Sequence, residues 1–174
     1  MKTIAAALLF FTAMTTQAKP VAIVIHAGAG RIDRDSFTPE HERLYHATLE
    51  QSLRAGHAIL KGGGSALDAV EAATVIMEDA PVFNAGKGAV FTAEGKNELD
   101  ASIMDGRALQ AGAVGGVTTV KNPIRAARAV MEKSPHVLFT NRGAEKFASD
   151  NGLEMVDPKY FFTERRWKQI QTWL

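Results

Sequence analysis

The feature that most limits how this chain can fold is its glycine: fifteen of 174 residues, set between apolar runs and not in a repeat. Glycine adopts positive φ at no steric cost, so it marks tight turns and places where backbone approaches backbone. Apolar segments bounded by such turns, with only 7% aromatic residues, predict a layered α/β core and exclude a collagen-like repeat or a disordered tail. The length suits one domain, and 46% hydrophobic with 22% charged residues is ordinary for a globular protein. Twenty basic residues against nineteen acidic ones leave a net charge of +1. That balance provides no broad field to hold a phosphate backbone or an anionic bilayer, so neither nucleic acid nor membrane is expected as a partner.

The N-terminal residues read separately. Lys2 gives a basic start, Ile4 to Met14 is an apolar run, and Thr16-Gln17-Ala18 is a small-residue tripeptide. This is the pattern of a secretory signal, residues 1–18, cleaved before Lys19. The apolar run is roughly half the ~20 residues that a membrane-spanning helix needs. The expected location is therefore periplasmic or secreted. With no cysteine in the sequence, the exported product is expected to hold itself by a packed core or a partner subunit and not by disulfides.

Along the mature chain, Val21 to Ile25 is a β-branched run that predicts a buried strand ending at the small residues His26 to Gly30, with His26 a buried, hydrogen-bonded histidine. Thr38-Pro39-Glu40 starts a helix to about Leu60, with Leu44, Ala47, Leu49, Leu53, Ala58 and Leu60 among its apolar positions, and Gly62 to Gly64 ends it. Ser65 with Asp68 caps a second helix, which Asp79-Ala80-Pro81 breaks. Ala89 to Thr92, Leu99 to Met104 and Ala111 to Val120, separated by turn residues, predict antiparallel strands. Asn122-Pro123 opens a helix to about Lys133 and His136 to Phe139 returns to strand character. A short helix follows over Gly143 to Ala148, with Gly152 as terminator, and Thr163 caps a last helix containing Trp167, Ile170 and Leu174. No internal repeat or low-complexity tract is visible.

The residues that could carry chemistry are few. There is no thiol and no His and carboxylate cluster at zinc-ligand spacing. Ala27 to Arg31 lacks the Gly-x-Gly-x-x-Gly spacing and the Gly-Lys-Ser/Thr ending of nucleotide loops. The segment Glu78 to Gly88 is more informative, because it places Pro81, two glycines, Phe83 and Asn84 in one short non-helical loop. Many backbone carbonyls there must find partners outside regular structure, and a hard cation could supply them. From the residues alone, Asn84 reads as a turn residue and Phe83 as a core anchor.

Taken in order, the strings His26 to Gly30, Phe83-Asn-Ala-Gly-Lys-Gly-Ala-Val-Phe-Thr92, Glu98-Leu-Asp-Ala-Ser-Ile-Met-Asp-Gly106, Ala111 to Val114, Lys121-Asn-Pro-Ile124 and Ser134-Pro-His-Val137 resemble the plant-type asparaginases. That family includes the isoaspartyl peptidases, and the resemblance runs from about Val21 to Ala148. It implies an αββα sandwich of the N-terminal nucleophile hydrolase type, of which this chain would be a part. It also implies an inactive precursor that cuts itself before a threonine, and hydrolysis of L-asparagine, β-aspartyl (isoaspartyl) dipeptides or both. A free α-amine beside the threonine hydroxyl can serve as its base.

The family's threonine lies in a Thr-Val-Gly-like string after a variable linker, and this sequence has no such string, so the catalytic nucleophile is expected to be missing from the chain. By the resemblance, residues 19–157 are an α-subunit portion and 158–174 the start of a linker. The chain is then a truncated gene product, a partial sequence or a separately encoded part. Asn84 matches the α-subunit asparagine that borders the active site and helps position the threonine. The main-chain carbonyls of Met77, Glu78, Ala80, Phe83, Ala85 and Lys87 match a loop that holds a structural sodium ion, with no other cofactor implied. Ala27 departs from the glycine common in relatives, and the Lys87 ammonium must point away from any such cation. The expected partner is a β subunit or segment of the same enzyme, in an (αβ)2 heterotetramer. The alternative is a non-catalytic remnant or binding module of the same fold, from which a Thr-Val-Gly segment in the DNA beyond Leu174 would distinguish it.

Overall fold

The structure, a computed structural model, describes residues 20–27 and 38–172. The export signal over 1–18, the cleavage before Lys19, the turn glycines Gly28 and Gly30, and Leu174 lie outside them.

The first helix, α1 (Pro39–Lys61), begins as its sequence dictates: Thr38 is extended and its hydroxyl accepts the His41 N–H at 3.2 Å, Pro39 needs no donor partner, and Glu40 and Glu42 face the positive end of the helix dipole. α2 (Ala66–Glu78) is capped by the Ser65 hydroxyl, which accepts the Asp68 N–H at 3.0 Å. The face that α1 buries is not the leucine face. It is Thr48, Ser52 and Gly56, four residues apart, while Leu44 stays exposed. Small residues win because the two helices touch along their backbones: the Ser52 hydroxyl donates to the Ala73 carbonyl at 2.7 Å, and a Cβ on Gly56 would stand 2.9 Å from the Ala69 oxygen.

The sheet has three strands in the order β1 (Leu99–Asp105), β2 (Gln110–Val117), β3 (Leu138–Thr140). β1 and β2 form an antiparallel hairpin, whereas β3 pairs parallel to β2 and is reached through the crossover helix α3 (Pro123–Lys133). The hairpin register slips near Asp100, where Gly116 takes a φ of +64° and its N–H reaches the Asp100 carboxylate at 2.9 Å. α3 lies across β1 and β2, and α4 (Asn141–Asp150) across β2 and β3. Between helices and sheet sits a core of Leu99, Val114, Val117, Val120, Ala126, Val130, Ala144, Ala148 and Phe161. The opposite sheet face is open, with Met104 59% and Leu138 55% exposed. The chain closes with α5 (Glu164–Gln171).

Three expectations are corrected. Val21 to Ile25 is extended but is not a strand, and the segment is not buried: Val24 is 89% exposed and His26 is exposed too. A strand exists only where a neighbour completes its ladder, and no described residue pairs with this segment. Ala89 to Thr92 is likewise not a strand, because side-chain amides occupy backbone groups that a ladder would use. Thr163 precedes α5, but its hydroxyl makes no cap bond and is buried without a hydrogen-bond partner. In smaller departures, β2 stops at Val117, leaving Val120 to bridge Met155, and α4 is longer than its central residues suggested.

Candidate active-site loop

The residues from Met77 to Gly88 fold back on the end of α2. Gly86 has a φ of +48°, and a Cβ there would stand 2.2 Å from the Glu78 carbonyl oxygen; one on Gly88 would stand 2.0 Å from that of Phe83. Only glycine fits at either point. Val82 and Phe83 anchor the loop in the interior, with the Phe83 ring 4.8 Å from that of Tyr45, as expected for a core anchor.

The loop is tied from outside on three sides. Glu78 is buried, and its Oε1 accepts the Ile124 N–H at 3.0 Å, which caps α3 from a neighbouring helix; Asn122, the residue just before Pro123, makes no cap bond. Asn122 instead donates to Asp79 at 3.1 Å. Burial pushes the Glu78 carboxyl up to about 7, against the lowering effect of the Ile124 N–H, and its Oε2 has no hydrogen-bond partner. On the second side, the Tyr160 hydroxyl donates to Asp79 at 3.5 Å, and the Lys87 ammonium lies 5.2 Å from the Tyr160 ring centre. From α5, Arg165 donates to the Pro81 and Val82 carbonyls at 3.4 and 3.3 Å, and Arg166 Nε donates to that of Gly88 at 2.7 Å. Burial, with the neighbouring charge of Arg165, brings Arg166 down to about 10. Phe91 packs edge to face on both Phe162 and Trp167, whose rings tilt against each other, and the three hold α5 in place for these contacts.

Asn84 is exposed at the loop surface, and its Oδ1 accepts the Val90 N–H at 3.0 Å. Asn97 is 7% exposed, and its Nδ2 donates to the Ala89 and Val90 carbonyls, each at 3.1 Å. The structure therefore brings together Asn84, Phe83 and the carbonyl-rich loop. It adds groups that the sequence did not single out: the Glu78 carboxyl, Asp79, Asn97, Tyr160, Arg165 and Arg166. Asn97 reads in sequence as a turn residue, and nothing in the local pattern reveals its reach across to Ala89.

The carbonyls of Met77 and Ala85 each accept a backbone N–H, from Ala80 at 3.3 Å and Gly88 at 3.0 Å. Those of Glu78, Ala80, Phe83 and Lys87 accept none from the described residues. Neutral oxygen donors of this kind suit a hard cation such as sodium and not a soft one, so the residues fit the ion that the sequence implies. Among the described residues no group of His, Asp and Glu side chains is placed to hold a metal. A cavity of about 580 Å³ lies elsewhere, lined by Phe91, Lys96, Glu98, Thr118, Arg142 and Glu145 among others, and takes in none of residues 77–88.

Comparison with known proteins places the chain in a family. The sequence pattern of a family described as asparaginase matches residues 18–174. An isoaspartyl peptidase of Salmonella typhimurium is 48% identical over 148 residues, which cover 85% of this chain and 47% of that protein. An isoaspartyl peptidase/L-asparaginase of Homo sapiens is 45% identical over 152 residues, 87% of this chain and 48% of that protein. A plant-type L-asparaginase of Pyrococcus abyssi is 46% identical over 151 residues, again 87% and 48%. The chain thus spans about half the length of the relatives it matches. It belongs to the asparaginase family, and its helices and small mixed sheet are an α/β structure of that family's N-terminal nucleophile hydrolase type.

Proposed function

We propose that this chain is the α portion of an amidohydrolase that hydrolyses L-asparagine, β-aspartyl dipeptides or both, through an N-terminal threonine carried by a segment outside residues 1–174. The observation that carries the reading is Asn84: an exposed carboxamide with its oxygen already engaged, on a loop held on three sides by the buried Glu78 and the half-buried Tyr160 and Arg166. Such a group enters a site preorganised and loses little freedom when a reacting oxygen arrives. The attacking hydroxyl and the α-amine that takes its proton both belong to the threonine residue, so the α portion contributes orientation and not the nucleophile. The open sheet face, with Met104 and Leu138 exposed, is the surface on which a second sheet would pack. The relatives' names supply the substrates, and an (αβ)2 assembly is part of the same proposal. The test is hydrolysis of asparagine and of a β-aspartyl dipeptide by residues 19–174 co-expressed with the threonine-led half of a close relative.

We also propose that the loop carbonyls of Met77, Glu78, Ala80, Phe83, Ala85 and Lys87 hold a structural sodium ion. The paired protein is expected to melt higher in sodium chloride than in tetramethylammonium chloride at equal ionic strength. An ion at a hundred times its dissociation constant adds about 2.7 kcal/mol. Equal midpoints would remove the assignment.

Export is the third part of the proposal. Edman sequencing of the protein from fractionated cells is expected to begin at Lys19, in the periplasmic or secreted fraction. Intact Met1 in the cytoplasm would reject the signal.

A further inference from the structure

We propose that Asn97 is a positioning residue: acting through the Ala89–Val90 peptide, it fixes the carboxamide of Asn84 so that its N–H pair, and not its oxygen, faces the reaction space. The inference rests on the reading that Asn84 borders the active site, and it goes beyond that reading by naming what aims it.

The assignment of each amide follows from its partners. The Ala89 and Val90 carbonyls can only accept, so the Asn97 atom 3.1 Å from each must be its nitrogen. The Val90 N–H can only donate, so the Asn84 atom 3.0 Å from it must be oxygen. The Ala89 carbonyl and the Val90 N–H are the two ends of one peptide unit. A hydrogen bond to the carbonyl polarises that unit and strengthens the N–H as a donor, by roughly 10–30% per bond in a chain. The sequence of bonds is therefore Asn97 to peptide to Asn84, all in one sense.

The peptide is also held in place mechanically. Ala89 is buried, and the preceding carbonyl, that of Gly88, is gripped by Arg166 at 2.7 Å. Ala89 to Thr92 has strand composition but no ladder, so no strand among the described residues sets the orientation of this peptide, and the Asn97 amide is the group that does. With Oδ1 engaged, the Asn84 Nδ2 has no acceptor among the described residues and presents its two donors outward. A reversed carboxamide would set N–H against the Val90 N–H and aim an oxygen at the attacking oxygen.

The experiment uses residues 19–174 co-expressed with a threonine-led half from a close relative. Asn97→Leu keeps the shape and removes both donors. Asn97→His restores one donor, a ring N–H, at the same bond count from Cβ. For Asn97→Leu the loss of the bond chain should raise Val90 amide exchange about tenfold and lower kcat about tenfold, with KM within about twofold. Asn97→His should recover at least about half of kcat, because the bond to the Ala89 carbonyl alone carries the orientation. If Asn97→Leu is insoluble, Asn97→Val, which is smaller and likewise without a donor, carries the same expectations. Unchanged Val90 exchange in the donor-less variant overturns the proposal, as does an unchanged kcat in an active pair. A pair with no turnover in its unaltered form would sink the enzyme reading, and Val90 exchange would then decide the role of Asn97 by itself.

Discussion

Residues 19–174 alone are expected to release neither ammonia from L-asparagine nor aspartate from a β-aspartyl dipeptide, and co-expression with a threonine-led partner half is expected to restore both. The expectation follows from what the described residues hold. Asn84 is aimed and the loop beneath it is tied down, but an oriented carboxamide neither attacks a carbonyl nor takes a proton. Nucleophile, base and oxyanion donors act as one unit, and loss of the nucleophile costs on the order of a million-fold in well-studied hydrolases. Background release is therefore all that the chain should show. The isolated chain should also aggregate, because the sheet face that carries Met104 and Leu138 stands in water and the edge strands have unpaired backbone groups. Ammonia and aspartate assays on chain and pair check the point together. Turnover by residues 19–174 alone rejects the external threonine, and a silent pair moves the assignment to a non-catalytic module of the same fold.

A large single-site loss of stability is expected at Gly112, in the core and away from the loop. A Cβ there would lie 2.2 Å from the Ala127 carbonyl oxygen and 2.5 Å from the Met131 nitrogen. Both are backbone atoms of α3, so no side chain can swing aside to make room; the helix itself must lift off β2. Lifting it opens the core around Val114, Val130 and Ala126. Overpacking of this kind costs about 3 kcal/mol or more, a large part of the 5–15 kcal/mol that a domain has. Gly143→Ala is the matched control, since nothing lies within 4 Å of its added methyl group and it sits inside α4. There the change should stabilise by up to about 1 kcal/mol. Urea melts of the paired protein carrying each substitution separate the two cases. A Gly112→Ala protein within about 1 kcal/mol of its parent would mean that α3 does not rest on β2 as described.

Much of the site was legible because it depends on chain-local chemistry. The loop between α2 and β1 announces itself through Pro81, Gly86 and Gly88, and Phe83 lies where an aromatic in such a loop should. The helix starts at Thr38 and Ser65 follow from hydroxyls three residues ahead of the N–H groups that they cap. What holds the loop was not legible. Glu78 reaches across 46 residues to Ile124, Arg166 across 78 to Gly88, and Asn97 across eight to a peptide that sequence assigns to a strand.

By itself, then, the sequence determined the family, the α/β class, the places of the helices and the loop that carries Asn84, because turns, caps and apolar periodicity are set by neighbours within a few residues. Only the tertiary structure decided which face of α1 is buried, whether Val21 to Ile25 and Ala89 to Thr92 are strands, and which way Asn84 points. Each of these depends on a group brought from elsewhere in the chain: a helix close enough to demand Gly56, a ladder partner present or absent, an amide placed opposite a carbonyl. Burial and pairing are properties of the packed chain, and even where both partners lie within a few residues, as Asn97 and Ala89 do, the pattern does not say that they meet.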